Sequence, residues 1–80
     1  MSTAKLRVDC LGLFCPVPIV RTAEAIRTLA EGEMLELLGD DPGIREDLPA
    51  WCRSTGHELM SMTEADGRIT GRVLKRTRKR

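Results

Sequence analysis

Cysteine chemistry is the main reactive capacity of this 80-residue chain, which holds three cysteines, Cys10, Cys15 and Cys52, and a single histidine, His57. Cys15 stands in the run Cys15-Pro16-Val17-Pro18. A cysteine reacts through its thiolate, so a nucleophilic one needs a group that stabilises negative charge. The N-terminus of a helix does this with unpaired N–H groups and the positive end of the helix dipole. The spacing puts Cys15 at the N-cap of a helix whose first residue is Pro16, where a missing N–H costs no hydrogen bond. Pro18 still falls in the first turn. Two prolines stiffen the backbone and hold the sulfur in one projecting direction, while Gly12 lets the preceding loop turn tightly. The expected result is a thiol pKa below that of a free cysteine. Most free cysteines are small buried hydrophobes, but such a residue needs neither a cap position nor flanking prolines.

Other groupings of the same residues compete. An odd number of cysteines cannot all pair within the chain, which favours thiols in a reducing compartment. Four residues separate Cys10 from Cys15, and four separate Cys52 from His57. That spacing is loosely compatible with a Cys₃His zinc site, but such a site would consume Cys15 and run through a helix end. A Cys10–Cys15 disulfide would instead make a thiol-redox protein. Cys52, beside Trp51, reads as core, and Trp51 reads as the main core aromatic. His57 follows Gly56 at a helix-to-strand junction and reads as a hydrogen-bonded structural residue. Asp40, Asp41, Glu46 and Asp47 form an acidic cluster, which helix capping explains in part and partner docking could complete.

The elements that must position these residues follow from periodicity. Lys5 to Asp9 alternates, with Leu6 and Val8 on one face: a first strand. A helix is expected from Pro16 to about Ala30, with Ile19, Ala23, Ile26 and Ala30 as its apolar stripe and Gly32 as its stop. Met34 to Leu38 is a second strand, with Leu35 and Leu37 on a common face. Asp40-Asp41-Pro42 supplies a carboxylate cap and a first-turn proline for a second helix. Pro49 should kink or restart that helix, with Asp47 or Leu48 as the new cap, and Gly56 should end it. Glu58 to Glu64 is a third strand with Met60 and Met62 on one face. Asp66-Gly67 signals a tight turn, and Arg68 to Arg76 is a fourth strand with Ile69, Gly71 and Val73 aligned. The order β-α-β-α-β-β predicts a two-layer α/β (α+β) sandwich: a four-stranded mixed sheet with two helices on one face. The first two strands should be parallel and the last two an antiparallel hairpin.

Composition sets outer limits. The chain is 41% hydrophobic and 31% charged, which is ordinary for a globular protein and excludes a disordered one. Its length fits one domain over residues 1–80 with a thin core. No apolar run approaches the roughly 18–20 residues of a membrane span, and Met1 to Lys5 leads straight into alternating sequence. A cytoplasmic location is expected. The net charge of +1 hides an asymmetry: Lys75 to Arg80 hold five of the 13 Lys and Arg, so the preceding 74 residues carry −4. The basic tail reads as a solvated end, with salt-sensitive docking or nucleic-acid contact as the alternative. Trp51 and Phe14 alone make no stacking platform of the kind single-stranded RNA binders use. Even so, an RNA-binding or regulatory module remains open, because a small sandwich does not decide function.

Leu11-Gly12-Leu13, one residue, then Cys15-Pro16-Val17-Pro18, with Asp9 before them, resembles the signature of the TusA/SirA-type sulfur-carrier (sulfurtransferase) family, the C-P-x-P motif. Asp40-Asp41-Pro42, then Asp47-Leu48-Pro49-Ala50-Trp51-Cys52, then Gly56-His57-Glu58-Leu59 fall where the family has similar runs. The resemblance covers about Leu6 to Lys75. Val17 stands where some members carry an acidic residue, and Cys10 is a thiol the motif does not require. The resemblance implies the same β-α-β-α-β-β sandwich. It also implies a carrier that takes a sulfane sulfur onto Cys15 as a persulfide, from a cysteine desulfurase or rhodanese-type donor. The sulfur would pass to an acceptor protein in tRNA thiolation, molybdenum-cofactor assembly or sulfur oxidation. Gly12, Pro16 and Pro18 shape the loop on this reading. No cofactor, metal or membrane is called for, direct nucleic-acid binding is not expected, and a carrier docking two partners in turn is expected to be a monomer.

Overall fold

The computed structural model describes residues 4–76; the basic tail expected to be a solvated end falls largely on residues 77–80, outside them. The elements run β1 (Leu6–Cys10), α1 (Val17–Ile26), β2 (Met34–Gly39), α2 (Ile44–Thr55), β3 (Glu58–Ala65) and β4 (Arg68–Leu74). The four strands form one sheet in the order β1-β2-β4-β3. β1 lies parallel to β2, as a strand–helix–strand unit requires. β4 is antiparallel to both β2 and β3. Both helices pack against the same face, so the mixed two-layer α/β sandwich expected from the sequence is the observed fold.

The inner face is aliphatic. Leu35 and Leu37 of β2 and Ile69 and Val73 of β4 meet Ile26 of α1 and Ile44 and Leu48 of α2, all buried. Strand alternation sends Arg7, Glu36 and Arg72 to the outer face. The registers Arg7↔Glu36 and Glu36↔Arg72 place the three side by side across β1, β2 and β4. Glu36 is accordingly buried between two guanidinium groups, at 3.0 Å from Arg7 Nε and 3.2 Å from Arg72 Nη2.

Several local expectations are corrected. α1 ends at Ile26, not near Ala30, and Gly32 does not stop it. The Ile26 carbonyl accepts the Leu29 N–H and also the Lys75 ammonium, each at 3.1 Å, where no helical i+4 partner continues the ladder. The buried residues of α1 are Pro18, Thr22 and Ile26, with Leu29 just beyond the helix, while Ala30 is exposed. The stripe is therefore rotated from the expected one by about a residue. The reason is Thr22, whose hydroxyl donates to the Pro18 carbonyl at 2.9 Å and so enters the core without an unpaired polar group.

α2 begins at Ile44, with Gly43 at the cap and no side-chain capping bond from Asp40 or Asp41. It runs through Pro49 without restarting. Pro49 cannot donate to the Arg45 carbonyl, but Ile44, Leu48 and Cys52 recur every four residues and bury along one line, holding both halves on the sheet. Gly56, at φ +90°, ends the helix as expected. In β3 the pairing passes from Leu59↔Val73 to Ser61↔Arg72, a bulge with Met60 as the extra residue. The bulge breaks the alternation: Met60 is exposed while Leu59 and Met62 pack on the core, so Met60 and Met62 do not share a face. Trp51 also departs from expectation. It is half-buried at the margin of the core, and the aliphatic residues form the centre.

Candidate functional site

The site follows from the parallel pairing of β1 and β2. Their ends meet at Cys10↔Gly39, so the segments leaving them run side by side: Leu11–Pro16 toward α1 and Asp40–Gly43 toward α2. The second segment grips the first through carboxylates. Asp40 Oδ1 accepts the Gly12 N–H at 3.0 Å, and Asp41 Oδ2 accepts the Cys15 N–H at 2.7 Å. Asp9 Oδ1 accepts the Leu11 N–H at 3.1 Å and closes the start of the loop. Gly12 turns with φ +80°, a conformation that glycine adopts without a Cβ penalty, as its place in the sequence predicted. Gly43 permits the close approach of the two segments. A Cβ there would stand 3.2 Å from Asp41 Oδ2 and 3.5 Å from Cys15 Cβ.

The thiol itself meets α2. Cys15 Sγ lies 2.5 Å from Asp47 Oδ2, and the thiol donates to that carboxylate from the first turn of the helix. Cys15 is exposed, and its neighbours Phe14, at 73% exposure, and Val17 are apolar and turned to solvent.

The expected helix-cap role of Cys15 is corrected. Pro16 is the N-cap of α1, the Cys15–Pro16 peptide is cis, and Cys15 lies one residue outside the helix. The first turn also has no N–H to offer the sulfur. Pro16 and Pro18 carry none, the Val17 N–H donates to Phe14 O at 2.8 Å, and those of Ile19 and Val20 donate to Pro16 O. The pKa expectation fails as well. The hydrogen bond to Asp47 pushes the Cys15 thiol up from its ordinary value, with desolvation and the charges of Asp47 and Asp41 acting in the same direction. The thiol form is therefore favoured in the free protein, where the sequence had suggested the thiolate.

The other candidates separate. Cys10 is fully buried and its thiol is raised by desolvation. Cys52 is 3% exposed, and burial pushes its pKa up to about 11. With Cys10 in the core and Cys15 on the surface, the geometry gives no support to a redox pair. Among the described residues no group of three or more His, Cys, Asp and Glu side chains is placed to hold a metal ion, so Cys10, Cys15, Cys52 and His57 do not come together. His57 is hydrogen-bonded, as expected: its Nδ1 accepts the Arg76 N–H at 3.1 Å and its ring lies 5.3 Å from that of Trp51. In the sequence Asp40, Asp41 and Asp47 stand out as a capping or docking cluster and within runs similar to the family's, with no sign of their contact with Cys15. Parallel pairing of β1 and β2 was the available signal that they would face the Cys15 loop. Among the described residues no helix is long and apolar enough to cross a membrane.

Comparison with known proteins bears on the family and the fold. The chain is 43% identical over 76 residues to "Putative sulfur carrier protein YrkF" of Bacillus subtilis, covering 95% of this chain and 40% of that protein. The chain thus spans less than half the length of YrkF. It is 46% identical over 57 residues to "Putative sulfur carrier protein YrkI" of the same organism, covering 71% of this chain and 76% of YrkI. The crystal structure of a SirA-like protein from Desulfitobacterium hafniense superposes with a TM-score of 0.77 at 28% identity, covering 86% of this chain and 95% of that one. The profile of the family described as "Sulfurtransferase TusA" matches residues 6–75. Because that match takes in all six elements and the Cys15 loop between the first two, the chain belongs to the Sulfurtransferase TusA family.

Proposed function

We propose that the chain acts in the cytoplasm as a one-domain, monomeric sulfur carrier, with Cys15 accepting a sulfane sulfur as a persulfide and handing it to an acceptor protein. In the loading step the Cys15 thiolate attacks the outer sulfur of a donor persulfide. A sulfur–sulfur bond forms on Cys15, the donor's own sulfur–sulfur bond breaks, and the donor cysteine leaves with the electron pair and takes up the proton that Cys15 released. The sulfane sulfur keeps its oxidation level, so neither an oxidant nor a cofactor enters. Unloading repeats the exchange with an acceptor thiol, in a relay of the kind serving tRNA thiolation, molybdenum-cofactor assembly or sulfur oxidation.

The observation that carries this reading is the contrast among three cysteines: Cys10 and Cys52 are buried and Cys15 is exposed. Exposure alone would not single out a functional residue, but Cys15 is also held by its backbone N–H, followed by Pro16 and Pro18 and bordered by the apolar Phe14 and Val17. Gly12, Pro16 and Pro18 keep the loop in one shape, and a fixed sulfur loses little conformational freedom on meeting a partner. Incubation with a cysteine desulfurase and free cysteine should add the mass of one sulfur atom, removable by reductant. Cys15→Ser should abolish that adduct, while Cys10→Ser and Cys52→Ser keep it. An adduct that survives Cys15→Ser would overturn the proposal.

A further inference from the structure

Resting on the carrier reading, we propose that Asp47 gates the carrier thiol: it holds the proton on Cys15 in the free protein, and a docked sulfur donor that brings a cationic side chain to the Asp41–Asp47 pair frees that proton to pass, by way of solvent, to the departing donor cysteine. The starting point is geometric. Asp47 projects from the first turn of α2 and receives the Cys15 S–H, while Asp41, on the β2–α2 connection, receives the Cys15 N–H. Two carboxylates from one side of the loop thus hold the same residue at its backbone and at its sulfur. An ionised Asp47 carboxylate can only accept, so its contact with Cys15 holds for the thiol and turns repulsive for the thiolate that attacks.

The charges around the sulfur act alike. Asp47 from α2 and Asp41 from the connection both oppose ionisation of Cys15. The first turn of α1 offers neither an acidic side chain nor a free N–H. Arg21, further along α1, acts on the buried Cys10, and Asp40 is occupied by the Gly12 N–H. Within the described residues no cation acts on the Cys15 sulfur. The carrier reading requires a thiolate at the moment of attack, so the compensating positive charge has to arrive with the partner. An opposite charge within about 4–6 Å of a carboxylate pair would relieve the repulsion they exert and favour the thiolate. The gate would also spare the free carrier from indiscriminate alkylation and oxidation, which follow thiolate content.

The test separates intrinsic reactivity from transfer. Alkylation of Cys15 by iodoacetamide would be followed against pH in the wild type, Asp47→Asn and Asp47→Glu. Sulfur uptake from a persulfide-loaded cysteine desulfurase would be followed in parallel at low and high salt. Asp47→Asn should move the alkylation profile to lower pH and speed the reaction several-fold at neutral pH, while Asp47→Glu stays near the wild type. With the donor, wild-type uptake should fall as salt is raised, and Asp47→Asn should lose most of that dependence. Asp47→Ser serves the same comparison if asparagine disturbs folding. A structural role alone would not shift the alkylation profile downward, so an unmoved or upward-shifted profile overturns the gate, as does salt-independent uptake by the wild type. Failure of the wild type to take up any sulfur, with the profile shifted as expected, would instead sink the carrier reading.

Discussion

Leu48 on the buried face of α2 lies directly over Gly71 of β4, so that a Cβ on Gly71 would run into the Leu48 Cδ2 methyl. Ile44, one turn earlier, bears in the same way on Gly39 of β2. The two glycines let α2 settle close to the sheet, and the Asp47 carboxylate reaches Cys15 from a helix held at that depth. Leu48 is fully buried and has little room to turn aside. Gly71→Ala should therefore cost about 1–3 kcal/mol, as overpacking does. The urea unfolding midpoint should drop, and in the Leu48→Ala background the same substitution should cost markedly less, because the obstructing methyl is gone. Equal costs in both backgrounds would show that the two residues are not coupled.

The aliphatic centre of the core sets a second expectation. Leu48→Ala removes a fully buried side chain and should cost about 2–5 kcal/mol. Trp51 is larger but only half-buried, so Trp51→Ala should cost less than the roughly 3–5 kcal/mol of a fully buried aromatic. Comparing the two midpoints checks the order; a greater loss for Trp51 would contradict it.

Acid should weaken the fold through His57. Burial lowers its pKa below the ordinary value of 6.5, and the positive charge of Lys75 pushes the same way. The unfolded chain then binds a proton more readily than the folded one, so stability rises with pH across that interval. The contribution is fully present above about pH 6.5 and is lost as pH falls from there toward the lower folded value. Unfolding followed between neutral and mildly acid pH should show the loss, and His57→Gln should flatten it.

Burial and charge together predict the pattern of thiol labelling. In native protein iodoacetamide should modify Cys15 alone, and in denaturant all three cysteines. Because Asp47 raises the Cys15 pKa, native labelling should be slow at neutral pH and accelerate as pH rises above it. Cys52, at about 11, should stay unlabelled in the folded state throughout that range. Rapid neutral labelling of the native protein would instead mean that the thiolate is favoured after all.

Much of this protein was legible in its sequence, because much of it is local or nearly so. Alternation in β1, β2 and β4, the Asp66-Gly67 turn and the strand–helix–strand order are enough for the mixed sheet, since each depends on which face a residue presents. The loop that carries Cys15 was marked in the same way, by Gly12 before it and the two prolines that follow it in the chain. Three things waited for the tertiary structure. Met60 left its expected face because a bulge is settled by pairing with β4, which the alternation of β3 alone does not contain. Thr22 entered the core because its hydroxyl found the Pro18 carbonyl, which a count of apolar residues cannot register. The ionisation of Cys15 turned out opposite to the expectation for a related reason. A helix end would have favoured the thiolate, but the residue that meets the sulfur, Asp47, lies 32 positions away and arrives only when α2 packs on the sheet. Charge acts through space, and proximity in space is what folding, not spacing along the chain, decides.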